Sequence, residues 1–244
     1  MGVARDSLRH LGKWGKTRLR IGASTTACHY ILPSVIKDYK KNYPEALITI
    51  EPGDTPRTVQ LLNENAIDLA LTLRPHQEDQ FQFLPLFWDE LSFIVSSQHA
   101  WALQNHVNRG EIPHQNYILY DKSSYTFRLI ERYFKDEDVV LNTRMELGSM
   151  EAIKELVKLN LGISILATWI AEEDLADRSL VSFSLGKRKL RRQWGILVLK
   201  GRRLGLPEET FIALCRKGTE KFARTIKDSE PVDPPSNPVL WTAT

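Results

Sequence analysis

Two rhythms of apolar residues alternate along the first part of the chain. Leu19 to Ile21 is a short apolar-rich run followed by the small and hydroxyl residues of "GASTT". From Thr26 the period lengthens: Leu32, Val35, Ile36 and Tyr39 fall at i, i+3, i+4 and i+7, one face of a helix. "NYP", Asn42 to Pro44, ends it, because a proline disfavours helical geometry in the residue before it. Leu47 to Glu51 is β-rich and is closed by Pro52-Gly53. In "DTPRTVQLLNENAIDLALTL", Asp54 or Thr55 can cap a helix with Pro56 in its first turn. Val59, Leu62 and Ala66 make its buried stripe. Ile67 to Leu73 is almost continuously apolar, as in a strand covered on both faces. This βαβαβ order predicts parallel strands.

The same alternation returns later. Strands are predicted at Leu91–Val95, Tyr117–Tyr120, Arg144–Leu147 and Ile163–Leu166, with helices after "DKSSYT" and within "GSMEAIKELVKLNLGISIL". Phe127, Ile130 and Phe134 face inward on the first of these helices, Met150, Ile153 and Val157 on the second. Leu180–Phe183 and Gly195–Leu199 are late strands, and Pro207–Lys227 is a closing helix. "IGASTTACHYILPSVIKDY" and "ILYDKSSYTFRLIERYF" share one plan: strand, hydroxyl-rich turn, amphipathic helix. Two α/β lobes with a cleft between them are therefore expected.

Composition adds limits. The 244 residues suffice for one large domain or two modest lobes. Net charge is +3, too small by itself to imply nucleic acid. Cys28 and Cys215 form no CxxC pair, which suits a reducing compartment and predicts neither a disulfide framework nor a zinc site. The start, "MGVARDSLRHLGKWGKTRLRIG", contains no signal-peptide pattern, and the nearly apolar stretch Leu159–Ala171 falls short of the ~20 residues of a membrane span. A cytoplasmic, soluble protein without membrane contact is expected. Residues 1–17 read as the end of a longer helix, with Leu8 and Leu11 three apart, and 228–244 as a Pro-rich disordered tail.

Signatures of catalysis are scarce. G-x-S-x-G, H-E-x-x-H, P-loop and G-x-G-x-x-G patterns are all missing from the sequence, and no histidine has metal-ligand spacing, so no cofactor or metal is expected. His29 can be a ligand contact or a packed or solvated histidine. Cys28 can be a nucleophile, since helix N-termini lower thiol pKa, or simply a small buried residue. "GKRKLRR", Gly186 to Arg192, can touch phosphates, but a solvated strand edge is the plainer reading.

The hydroxyl turns speak more clearly. Ser24-Thr25-Thr26, Asp54-Thr55, Ser123-Ser124 with Thr126, and Gly148-Ser149 all fall at predicted strand C-termini. Open α/β sheets bind ligands there, and unpaired amides with hydroxyl side chains suit a small carboxylate, sulfate or phosphate. Each turn can also do no more than cap its own helix.

"LRIGASTTACHYILPSVIKDYKKNYPEALITIEPGDTPRTVQLLNENAIDLALTL" closely resembles the start of the effector-binding domain of LysR-type transcriptional regulators, and "MELGSMEAIKELVKLNLGISILATWIAEEDL" resembles that family's later block. The resemblance runs from about Arg18 to Ala223. Asn160 stands where the family usually has Gly, Ala167 where it has Pro, and Asp54 replaces a common Asn. The resemblance implies an α/β, type 2 periplasmic-binding-protein-like fold: lobe I from 18–90 and 194–227, lobe II from 91–193, joined by crossover strands near Leu91–Val95 and Gly195–Leu199.

It further implies an effector held by Ser24, Thr25, Thr26 and Thr55 from one lobe and by Ser124, Thr126, Gly148 and Ser149 from the other. Dimerisation through Ser34–Lys41 and Glu151–Lys158 is implied too, with homotetramers at full length. DNA contact would come only through an N-terminal winged helix-turn-helix that this sequence lacks, leaving no enzymatic role. A transporter's solute receptor or an enzyme on the same fold are the alternatives. Effector identity is not legible; Arg57, Arg74, Arg128 and Arg144 are possible counter-charges or plain surface residues.

Overall fold

A computed structural model describes residues 17–76 and 79–223. The expected linker helix, but for Thr17, and the Pro-rich tail lie outside them. The chain divides into two compact units. The first takes its described residues from 17–72, 81–86 and 195–219, the second from 73–76, 79–80, 87–194 and 220–223.

In the first unit β1 (Arg18–Ala23) lies between two parallel neighbours, β2 (Leu47–Pro52) and β3 (Leu69–Leu73). Hydrogen-bonded order continues from β3 to β9 (Arg191–Leu199) and β4 (Phe81–Ser96), whose segments 195–199 and 81–86 belong to this unit. Gly195 lets these two strands approach: a Cβ there would sit 2.4 Å from the Phe83 ring and 2.6 Å from the Leu84 carbonyl oxygen. The first helical run is broken at Ile31 into α1 (Thr25–Tyr30) and α2 (Leu32–Asn42), with Pro33 in the first turn of α2. α3 (Thr55–Asn63) supplies Leu61 and Leu62 to one apolar cluster with Ile67, Ala70, Phe81 and Leu197. Each buried side chain of this size contributes roughly 1.5–3 kcal/mol.

The second unit departs from a simple repeat of the first. β5 (Tyr117–Tyr120) and β6 (Thr143–Leu147) pair in parallel as a two-stranded sheet. β7 (Ser164–Ala167) instead joins β4 antiparallel, as does β8 (Leu180–Ser184). A parallel bridge from Tyr117 to Ile163, and Ser164 Oγ donating to the Ile118 carbonyl at 2.7 Å, link β7 and its approach to β5. Short helices complete the unit: α4 (Ala100–Gln104), a 3-10 turn at Arg109–His114, another at Thr168–Ala171, and α7 (Glu172–Ala176). α5 (Tyr125–Lys135) and α6 (Met150–Lys158) bury the predicted residues. Asn160, just past α6, takes a left-handed φ of 56°, a conformation asparagine tolerates and glycine favours, so the expected glycine is replaced without loss of the turn. α8 (Leu206–Ala223) closes the described chain. Among the described residues no helix is long and apolar enough to cross a membrane.

Candidate functional site

In the first unit, strand register decides where the hydroxyls emerge. Ala23 lies opposite Pro52 on β2 and Leu71 on β3, so the Ser24–Thr26 and Asp54–Thr55 turns leave the same carboxyl edge of parallel strands. Ser24 caps α1, its Oγ accepting from the Ala27 amide at 3.2 Å. Thr25 is exposed and Thr26 buried. Asp54 caps α3 by accepting from the Arg57 amide. Thr55 is buried, and its Oγ1 accepts from Thr72 Oγ1 at 2.9 Å. Behind it Thr58 Oγ1 donates to the Thr55 carbonyl at 3.0 Å and also faces Thr72 Oγ1 at 3.4 Å. Three buried alcohols therefore converge, and the Thr55 proton points away from Thr72.

The second unit repeats the edge arrangement. Tyr120 lies opposite Leu147, and the Asp121 amide donates to the Leu147 carbonyl at 3.2 Å. This brings the Ser123–Thr126 turn beside Gly148-Ser149. Ser124 caps α5 through the Phe127 amide at 3.1 Å, and Ser149 caps α6 through the Ala152 amide at 3.4 Å. Gly148 and Ser149 are exposed, and a Cβ on Gly148 would meet nothing within 4 Å. Capping thus accounts for Ser24, Ser124 and Ser149 as acceptors, while each keeps its own proton for donation. Thr25, Thr26, Thr55 and Thr126 are not caps.

Thr126 is engaged in a way the sequence did not announce. Arg192 Nη1 donates to its Oγ1 at 2.9 Å. Arg192 is 5% exposed, and its Nε and Nη2 grip Asp89, itself 2% exposed. Asp89 also accepts from the indoles of Trp169 (3.1 Å) and Trp194 (2.9 Å). A buried ion pair is tolerable only when its polar atoms are satisfied in this manner. Phe87 stacks on Trp194, meets Trp169 edge-on and lies 5.2 Å from Phe222, sealing the pair in aromatic surface.

Of "GKRKLRR", Lys187 and Arg188 are exposed, as the plainer solvated reading has it, but that reading is corrected at Arg192. Arg188 lies over the Tyr133 ring and pairs with Asp136 and Glu137, Lys189 pairs with Glu90, and Arg192 is in the core. The missed signal is the carboxylate partner, which stands 103 residues away in sequence.

Three guanidiniums act on Tyr125 at this turn, one of them, Arg192, already paired with Asp89. Burial pushes the Tyr125 phenol up to about 12, against the downward pull of the Arg128, Arg132 and Arg192 guanidiniums. Of the catalytic candidates, Cys28 has its pKa raised, first by burial, so it is no activated thiolate. His29 is exposed and lies 4.8 Å from the Tyr30 ring. Among the described residues no group of His, Cys, Asp and Glu has the arrangement of a metal site.

The LysR substrate binding domain model matches residues 15–220. The HTH-type transcriptional activator CmpR of Synechocystis is 25% identical over 197 residues, covering 81% of this chain and 64% of that protein. A RuBisCO operon transcriptional regulator of Allochromatium vinosum is 23% identical, covering 76% and 61%. The chain thus spans less than two thirds of these relatives. Among solved structures, the regulatory domain of Synechocystis CcmR in complex with 2-PG superposes with a TM-score of 0.74 at 24% identity, covering 84% of this chain and 98% of that one. The effector binding domain of QuiR in complex with shikimate gives 0.70 at 19% identity, covering 86% and 99%. These likenesses establish the α/β, type 2 periplasmic-binding-protein-like fold.

Proposed function

The chain belongs to the LysR substrate-binding-domain family, and from that premise we propose that it is the ligand-sensing part of a transcriptional regulator acting in the cytoplasm. It binds a small anionic or polar effector in a cleft between lobe I (18–90 and 194–227) and lobe II (91–193). Ser24, Thr25, Thr26 and Thr55 donate to the effector from the first, and Ser124, Thr126, Gly148 and Ser149 receive it from the second. One observation carries the reading: in each unit, hydroxyl turns leave the carboxyl ends of adjacent parallel strands, where open α/β sheets hold ligands. Arg192 donating into Thr126 leaves that hydroxyl to donate to the ligand, which suits an anionic or polar acceptor.

The ligands named for CcmR and QuiR, 2-PG and shikimate, supply probes of that class. An effector that touches both lobes favours the conformation it binds better, by its differential affinity alone. The role is binding, not catalysis, and it needs no cofactor. Subunits pair through Ser34–Lys41 and Glu151–Lys158, and the lobe conformation reaches DNA through a separate reading domain of the whole protein. Calorimetry with 2-PG and shikimate tests the site: Ser24→Ala and Thr26→Ala each weaken binding, and unchanged affinity in both overturns it.

A further inference from the structure

We propose that Arg192, clamped by Asp89, fixes Thr126 as a one-way hydrogen-bond donor, so that the turn takes an acceptor group of the ligand and favours an oxyanion, a carboxylate or a phosphate, over a neutral oxygen. The proposal rests on the reading that Thr126 faces the effector.

A threonine hydroxyl carries one proton and two lone pairs, and in isolation it serves a donor or an acceptor equally well. At Thr126 that symmetry is broken. Arg192 Nη1 donates into its oxygen at 2.9 Å. A guanidinium has five donors and no acceptor and stays protonated, so this bond cannot reverse direction. The Thr126 proton must then point away from Arg192. Charge-assisted donation also polarises the hydroxyl and makes it a stronger donor. A ligand ammonium or amide N–H at the second lone pair would face the Nη1 edge of the cation.

The orientation of Arg192 is itself determined. Asp89 takes the Nε and Nη2 edge, leaving Nη1 for Thr126. The Trp169 and Trp194 indoles occupy one oxygen of Asp89 and stop it from turning. Thr126 keeps partial exposure while Ser124, Tyr125 and Phe127 around it are buried. Arg192 is in this sense a positioning residue that acts through Thr126.

The test uses the whole chain, 2-PG, shikimate and the methyl ester of shikimate as probes, and calorimetry as the readout. Wild type binds an oxyanion probe and discriminates against the ester. Thr126→Val lowers oxyanion affinity roughly tenfold or more, and Thr126→Ser restores it. Because Arg192→Gln alone strands a buried carboxylate, the pair Asp89→Asn/Arg192→Gln removes both charges together. That pair weakens oxyanion binding and narrows the shikimate-to-ester ratio. Added to Thr126→Val it brings no further loss, since its effect passes through the missing hydroxyl.

Additive losses, or an unchanged ratio in the charge-free pair, overturn the role of Arg192 while leaving the site in place. Full affinity in Thr126→Val with losses in Ser24→Ala and Thr26→Ala overturns this inference alone. Full affinity in all three overturns the site as well. Binding of the ester as well as the acid, or of no oxyanion probe, overturns the ligand class.

Discussion

Thr55 in the first unit and Thr126 in the second both accept a hydrogen bond from the protein, but from donors of different kinds. Behind Thr55 stand two more alcohols, Thr72 and Thr58. Behind Thr126 stands a buried cation with its own counter-ion. A chain of alcohols can be redirected at the cost of rotating hydroxyls, so Thr55 can adapt to what it meets. A guanidinium cannot be redirected. The first arrangement costs little to bury because each member is neutral and satisfied; the second is stable only as a complete set. One unit is thus built for adaptable hydrogen bonding and the other for a fixed polarity.

The strongest way to break the comparison is to open the sealed pair. Arg192→Ala leaves Asp89 charged and buried and is expected to destabilise by about 3–5 kcal/mol, read as a lower urea midpoint. A loss no larger than that of an alcohol substitution would mean that water reaches Asp89.

Next comes the first unit's own carboxylate, Asp68, which accepts from the Arg20 amide and side chain and from Arg202. Burial pushes its pKa up, but these hydrogen bonds win and hold it below the ordinary 3.8. A lowered folded pKa means stability that is complete above the unfolded value and is lost as pH falls from about 4 through the folded value. Asp68→Asn is expected to cost roughly 1.5–3 kcal/mol at pH 7 and to flatten the acid limb of a pH–stability curve. An acid limb as steep as wild type would remove Asp68 from its cause.

Thr72→Val sharpens the contrast more gently. It removes the donor behind Thr55 while Thr58 still has the Thr55 carbonyl, so about 1 kcal/mol is expected, with ligand affinity changed less than in the Asp89/Arg192 pair. A larger affinity loss from Thr72→Val would reverse which unit is the rigid one. Smallest are the caps: Ser24→Ala and Ser124→Ala are each expected to cost about 0.5–1 kcal/mol, by thermal denaturation. A much greater loss at Ser124 would show that this turn, not Arg192, anchors the second unit's site.

The hydroxyl turns were legible because each sits where an apolar run of period two gives way to a period of 3.6, and that change is local. The break of the first helix at Ile31 was less so, since Leu32, Val35 and Tyr39 keep their spacing on α2 regardless. The antiparallel placement of β7 and β8 on β4 is not legible in the sequence, because neither strand's pattern records its partner. α4 and α7, five residues each, are too short to establish a periodicity.

Sequence by itself determined which residues alternate between strand and helix, where the turns carry hydroxyls, and the family to which that order belongs, because propensity and periodicity act over a few neighbouring residues. Tertiary structure alone decided that Arg192 is a core residue and Thr126 its acceptor. Burying a guanidinium requires a carboxylate, two indoles and an aromatic wall to arrive together, and those groups come from segments that only folding brings within hydrogen-bond reach.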